Sequence, residues 1–430
     1  MLKKNEFNLN LRDYIFPFIF GVIATQKLHI FGEVYVGEIL SLMYLALNFT
    51  KIQFSKAEKT LFLFAFLWSF SQVISDLVNY NNFNAFIKGA SAPILFAVTI
   101  MSLISYFRFQ TYSNLELLKA RFFYFILGVE LASLILEYFF PSEYSQINLW
   151  KWGLGPHILV IIAAWTSFYV KNIKIMALLA IILLFSAISF HFGSRGLAGI
   201  PIFSVLVYLL ITESKFKLIL EKASKAKRLL FFLFVILALA ISLNTVYSKI
   251  IKSDSYVNAT SSDIVEKFST QDKGKYGGLI GARPEIFISY QAFLDKPLLG
   301  HGSWAIDTTG KYLREYYELS SDLGYADYDN DFDLGNTEFI PTHSYMMQAF
   351  VWGGILAGLF WVYLLFFLTK TFNDNITKLP YFFYFVYFQI AFNILFSPFG
   401  ADARWLSAIF ISSYIVYLNQ LISGSGNHIK

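Results

Sequence analysis

The sequence predicts an all-α polytopic membrane protein of about twelve transmembrane helices, with one large outside loop that carries short amphipathic helices. Three observations predict it. The 430 residues are 56% hydrophobic, 19% aromatic and only 15% charged, with a mean hydropathy of +0.54. A soluble domain carries about 25% charged residues. Apolar runs of spanning length follow one another with short polar breaks, and the basic residues fall in every second break.

Runs of roughly 17–25 residues suffice to cross the hydrocarbon core. They fall at about 14–30, 34–50, 60–79, 85–107, 118–140, 155–170, 173–191, 196–212, 228–247, 343–369, 379–397 and 403–420. This divides the chain into a first bundle of about nine spans (1–247), a loop region (248–341) and about three closing spans (342–430). The opening MLKKNEFNLNLRDYIFPF puts basic residues ahead of an apolar run without a small-residue cleavage site. It therefore reads as a first span and not as a removed signal peptide.

Positive charge concentrates in cytoplasmic loops. With the N-terminus in the cytoplasm, the inside segments hold Lys3, Lys4 and Arg12, then Lys51, Lys56 and Lys59. Arg108, Lys119 and Arg121 follow, then Lys171 and Lys174, then the stretch from Lys215 to Arg228, then Lys370 and Lys378. The outside segments are nearly bare: YNNFN has no charge, and 141–155 has only Lys151. Both termini are thus expected in the cytoplasm. The net charge of +5 serves topology and does not point to nucleic acid. With no cysteine, disulfides, thiolate catalysis and Cys-metal sites are excluded. No Walker motif, dinucleotide fingerprint, HExxH or internal repeat is present, so no cofactor and no metal is expected.

The outside segment 248–341 is too long to be a turn. RPEIFISYQAFL has Pro284 and Glu285 at a helix start, and Ile286, Phe287, Tyr290, Phe293 and Leu294 at helical spacing. Pro297, Gly300 and Gly302 in DKPLLGHG end it. An amphipathic helix lying against the outer membrane surface is expected. REYYELSSDLGYADYDNDFDLGN, acidic and rich in tyrosine, is expected to be mobile.

Against this pattern three residues stand on the side where positive charge is depleted: Arg195 in HFGSRGLAG, Arg283 in GARPEIF and His343 in PTHSY. Arg195 follows Ser194 at the start of a span, where free N–H groups attract anions and a guanidinium adds a fork of donors for phosphate oxygens. The alternative is an arginine snorkelling to headgroups. Arg283 is a loop arginine that with Arg195 can clamp a diphosphate and stabilise its charge as it leaves. His343 follows Thr342, a candidate N-cap. The positive end of a helix dipole favours the neutral imidazole that a general base needs; a histidine bonded to a carbonyl is the alternative. His191 and His301 compete on the same side. Arg404, in SPFGADARWL, is either a further phosphate contact or an anchor. Glu33 and Glu38 either orient an acceptor or the histidine, or pair with an arginine.

The ordered set GSRG (193–196), FLDKPLLGHG (293–302) and PTHSYMMQAFVWGGILAG (341–358) resembles the O-antigen ligase/polymerase superfamily of bacterial membranes (Wzy/WaaL-like), over roughly residues 180–370. The resemblance implies a GT-C-like fold in the bacterial inner membrane and a metal-independent inverting glycosyl transfer at the periplasmic face. The donor would be a glycan on undecaprenyl diphosphate, with Arg195 and Arg283 holding the leaving diphosphate. His343 would deprotonate the acceptor hydroxyl, with Arg404, His191 and Glu38 as supporting residues. Implied partners are the lipid-linked oligosaccharide, membrane lipid, and a chain-length regulator and flippase of the same pathway. His343-Ser344 followed by nine residues and Gly354 is similar to a ligase pattern from which Ala357 departs. The Lys- and Phe-rich composition is more similar to a polymerase, which is the reading favoured here over a ligase to lipid A core. A lipid-linked glycan flippase is a third reading, expected to carry charge near mid-bilayer.

Overall fold

The apolar runs fold as helices over most of their lengths, because a backbone removed from water must satisfy its N–H and C=O groups within its own segment. The computed structural model describes residues 10–29, 32–110, 114–170, 173–212, 216–259, 262–273, 285–322 and 339–426. In chain order the helices before the loop region are α1 (Arg12–Ala24), α2 (Val36–Asn48), α3 (Lys56–Val78), α4 (Phe83–Gln110), α5 (Leu115–Phe139) and α6 (Glu143–Ile147). Then come α7 (Gly155–Ala164), α8 (Ile175–His191), α9 (Arg195–Thr212), α10 (Phe216–Lys222) and α11 (Lys225–Ile251). The loop region holds α12 (Asp254–Ala259), α13 (Ser262–Lys273), α14 (Glu285–Asp295) and α15 (Lys311–Asp322). The chain closes with α16 (Tyr345–Asn375), α17 (Tyr381–Phe396) and α18 (Ala401–Gly426).

Among the described residues, seven helices are long and apolar enough to cross a membrane: α3, α4, α5, α9, α11, α16 and α18. The other five expected spans are shorter helices, with α1 and α2 at 13 residues, α7 at 10, α8 at 17 and α17 at 16. Wider π-helical turns at Leu149–Leu154 and Trp165–Tyr169 extend α7 at both ends. The first run does not stay helical to residue 30. After Ala24 the chain forms an antiparallel pair, Lys27–His29 with Glu33–Tyr35. Val34 and Tyr35 suit a strand, and Lys27 ties the hairpin to Asp402 of α18 at 2.7 Å.

Capping fixes several starts. Ser55 and Glu58 form a reciprocal capping box at α3, Asn114 caps α5, and Ser224 caps α11. Packing then sorts the helices by depth. Ten side chains of α17 are buried, among them Phe382, Phe383 and Tyr384, so this short helix is apolar all round because protein surrounds it. In α11 only 11% of the most apolar window is buried, which places it at the periphery.

α16 is interrupted. Gly354 takes φ +73°, ψ −165° in the middle of it, a conformation that only glycine adopts without strain. Three of the freed carbonyls and one amide find partners outside the helix. The Val351 and Trp352 carbonyls accept from the His301 and Gly302 amides at 2.7 and 3.0 Å. Ser75 Oγ also donates to Trp352 at 2.6 Å, and Ser71 Oγ donates to the Gly353 carbonyl at 2.5 Å. The Ile355 amide donates to the Pro297 carbonyl at 2.8 Å. The PLLGHG turn is thus seated in the break, as non-helical backbone inside a bundle must be.

Candidate functional site

The seated turn positions what lies around it. Asp76, near the end of α3, accepts from the Ser303 amide at 2.5 Å, from Ser303 Oγ at 2.7 Å and from Asn81 Nδ2 at 2.7 Å. Gln72 Nε2 donates to the same Ser303 Oγ at 2.7 Å. This network holds Trp304, a non-glycine residue at φ +50°, with its ring centroid 4.6 Å from that of Trp352.

Beside this aromatic pair is a cavity of about 570 Å³ among α2, α3, α4, α16 and α18. Apolar residues such as Ile39, Leu42, Ile94 and Leu95 form most of its wall, and its polar members include Glu33, Gln72, Lys88, Ser91, Gln348 and Arg404. Gln348 is satisfied by the backbone of Phe399, donating to the carbonyl and accepting from the amide. Of the residues singled out from the sequence, Arg404 and Glu33 line this cavity; Arg195, His191 and His343 do not.

Arg404 is buried and forms a two-pronged ion pair with the fully buried Glu38, at 2.5 Å from Nε and 2.8 Å from Nη2. Nη2 also donates to the Glu33 carbonyl at 2.9 Å. Of the alternatives open for Arg404 and Glu38, the pairing is the one found, so the arginine's fork is committed to protein. The Glu33 carboxylate lies 3.6 Å from Lys27. Tyr35 hydroxyl donates to Asp402, closing a clasp between the hairpin and the start of α18.

Arg195 opens α9, and the Ser194 carbonyl accepts the bond from the Ala198 amide. Its guanidinium lies between two aromatic faces, 5.4 Å from the Tyr247 ring and 5.2 Å from the Phe268 ring, and donates to the Tyr247 hydroxyl at 3.2 Å. Its half-buried plane is thus oriented by α11 and α13. Stacked guanidinium keeps its in-plane N–H groups directed outward from the rings. His191, last residue of α8, is exposed, with its ring edge-on to Phe192.

His343 is half-buried immediately before α16. The cap of that helix is Ser344 and not Thr342: Ser344 Oγ accepts from the Met347 amide at 3.1 Å and donates to the Ile394 carbonyl at 2.7 Å. Serine at this position serves two helices at once, which is why it displaces the threonine. Two residues before His343, the Pro341 carbonyl accepts from Ser289 Oγ of α14 at 2.8 Å. Arg283 lies outside the described residues; it precedes α14 by two positions.

α14 begins at Glu285 and ends at Asp295, as expected, but its buried face is Ile288, Ser289 and Ala292. Phe287, Tyr290 and Leu294 are exposed on the other side. The expected mobile stretch is helical in its first part, α15, because Tyr312, Tyr316 and Leu319 recur on one face and pack with Ala305 and Ile340. The rest of that stretch lies outside the described residues. His301 belongs to this small core. Its Nε2 donates to the Ala292 carbonyl at 2.8 Å, and burial holds its imidazole below the usual value. Asp295 accepts from Lys311 at 2.5 Å, a contact that holds its carboxyl below the ordinary range.

Sequence reasoning missed three groups. Lys88 was absorbed into an apolar run, although a lone lysine at the poorly charged end of a span was a visible signal. Trp304 and Trp352 lie 48 positions apart in the numbering and meet only through the break in α16. Glu130, buried in α5, lies 2.6 Å from His157 Nδ1 of α7. An acid in the middle of an apolar run was the signal there.

No family model, curated protein or solved structure matches this chain.

Proposed function

We propose that the chain is a polysaccharide polymerase of the bacterial inner membrane that moves a glycan from undecaprenyl diphosphate onto a sugar hydroxyl of a second lipid-linked repeat, at the periplasmic face. The reading takes the twelve apolar segments as spans, both termini as cytoplasmic, and the end bearing α12 to α15 as periplasmic.

The observation that carries it is the union of two of the three motifs. PLLGHG is seated in the break of the helix that PTHSYMMQAFVWGG builds, and Ser289 pins α14 to Pro341. The segment bearing His343 and the helix that follows Arg283 therefore belong to one packed unit. Arg195, in the remaining motif, is oriented separately between Tyr247 and Phe268.

In this mechanism His343 takes the proton of the acceptor hydroxyl. The oxygen attacks the anomeric carbon from the face opposite the diphosphate, the new glycosidic bond forms, and the bond to the diphosphate oxygen breaks with inversion. Negative charge gathers on the leaving diphosphate, where Arg195 and Arg283 stabilise it more strongly than in the bound donor. A ligase to lipid A core would use the same groups with a different acceptor. The Glu130–His157 pair between α5 and α7, with Glu130 buried and His157 partly exposed, favours a third reading, transport of the lipid-linked glycan, since intramembrane ionisable pairs mark pathways.

The test is made in cells that display the polymer. Arg195→Ala and His343→Ala are expected to insert normally and leave single repeats on the carrier, with Arg195→Lys also impaired because an ammonium lacks the planar fork. Normal chain lengths in both alanine variants would refute the assignment; complete loss of attached glycan with free polymer retained would indicate the ligase.

A further inference from the structure

The cavity among α2, α3, α4, α16 and α18 is not used by the mechanism above, and three observations say what it takes. First, it holds one uncommitted cation. Lys88 stands in the second turn of α4 with Nζ 5.9 Å from the Trp304 ring centroid, and among the described residues no carboxylate lies within ion-pair distance of it. The other cation in the wall, Arg404, is matched by Glu38. Second, the wall opens on the flank of the bundle. Leu42, midway along α2, is 41% exposed, and Ile94, midway along α4, is 47% exposed. With α2 and α4 read as spans, an apolar opening at mid-helix faces lipid tails and not water. Third, the Trp304–Trp352 pair sits beside the ammonium, with Trp304 held at a positive φ by the Asp76 network. Strain of that kind persists where the surroundings over-determine it, and it clusters at ligand sites.

We propose that this cavity holds the acceptor: the isoprenoid stem of a second lipid-linked glycan enters between α2 and α4, its phosphate meets Lys88, and its first sugar lies against the tryptophan pair. This rests on the polymerase reading, which requires two lipid-linked substrates at once. One ammonium suits the phosphate of an anionic lipid, and an aromatic pair beside it suits a sugar ring where a simple phospholipid would place only a small headgroup.

The experiment uses the full chain in phosphatidylcholine nanodiscs and undecaprenyl diphosphate bearing a diazirine in an isoprene unit near the phosphate. Labelling is expected on α2 and α4 around Leu42 and Ile94, competed by undecaprenyl phosphate and not by phosphatidylglycerol. Lys88→Ala should weaken it about tenfold, the loss of one charge-assisted contact, while Lys88→Arg retains it. Ala92→Trp, which fills the cavity, should abolish labelling without lowering the melting temperature. Arg195→Ala should leave labelling of α2 and α4 intact. Labels confined to other helices, competition by phosphatidylglycerol, or full labelling of Lys88→Ala would overturn the proposal. Cavity labelling in a chain that elongates no glycan would instead overturn the polymerase reading and leave a lipid site standing.

Discussion

At the scale of single residues, Arg404 and Glu38 separate charge that is spent on folding from charge that is available to a ligand. Glu38 is fully buried, so removing its partner strands a carboxylate away from water. Arg404→Ala should therefore destabilise the fold by about 3–5 kcal/mol, the usual penalty for breaking a buried pair. Glu38→Gln with Arg404→Gln should recover most of that loss in a thermal-melting cycle; equal melting of single and double variants would show that the pair does not matter. Gly354 gives a second prediction. A Cβ there would lie 2.2 Å from the Leu298 carbonyl oxygen, at a φ that costs alanine about 1–3 kcal/mol before any clash. Gly354→Ala is expected to unseat the PLLGHG turn and to expose it to protease, and intact protection would contradict the seating. Arg195 and Arg404 stood out in the sequence because charge is rare beside such apolar runs. Their partners did not: Glu38 and Arg404 are 366 residues apart, and no local pattern joins them.

At the scale of elements, α14, α15 and the 296–304 turn form one unit with the break in α16. The position of α14 was legible from the apolar spacing, but its buried face was not, and α15 formed in a stretch expected to be mobile. The small residues Ser289 and Ala292 of α14 approach α16 closely, while the larger Phe287, Tyr290 and Leu294 remain outside. This unit should respond to acid. The His301 imidazole, among Asp295, Lys296, Lys311 and Tyr312, is held below its ordinary value near 6.5, chiefly by burial. The unfolded chain binds that proton first as pH falls, so stability is full above about 6.5 and declines as pH drops toward the depressed folded value. Asp295, held low mainly by its hydrogen bond from Lys311, loses its contribution in the same direction but at still lower pH. The protection of the α14 amides, measured against the intrinsic exchange rate at each pH, is expected to fall between pH 7 and 5, and His301→Gln should abolish that fall. Equal protection at both pH values in the native chain would sink the idea.

At the scale of the whole molecule, the all-α membrane class was fully legible in composition, because 15% charge cannot cover a soluble surface. Span count was less so. α17 is apolar because protein buries it, and α7 gains length from π turns that no apolar pattern reveals. The cavity was illegible for a deeper reason: α2, α3 and α4 build it together with α16 and α18 from the far end of the chain. The native chain has no cysteine, which makes sidedness directly measurable. Tyr80→Cys, at a residue 93% exposed after α3, should react with an impermeant maleimide in spheroplasts, whereas Lys51→Cys should react only after lysis. The reverse pattern would invert the topology and place Arg195 and His343 in the cytoplasm.

The central claim is that the protein alone elongates a lipid-linked glycan at one membrane face. The most direct measurement is product length from purified chain in liposomes, given the lipid-linked repeat and neither metal nor ion gradient. The account predicts a ladder of longer products that Arg195→Ala and His343→Ala fail to make while still binding the lipid. Translocation of the repeat without any lengthening, or a ladder undiminished in both variants, would contradict it.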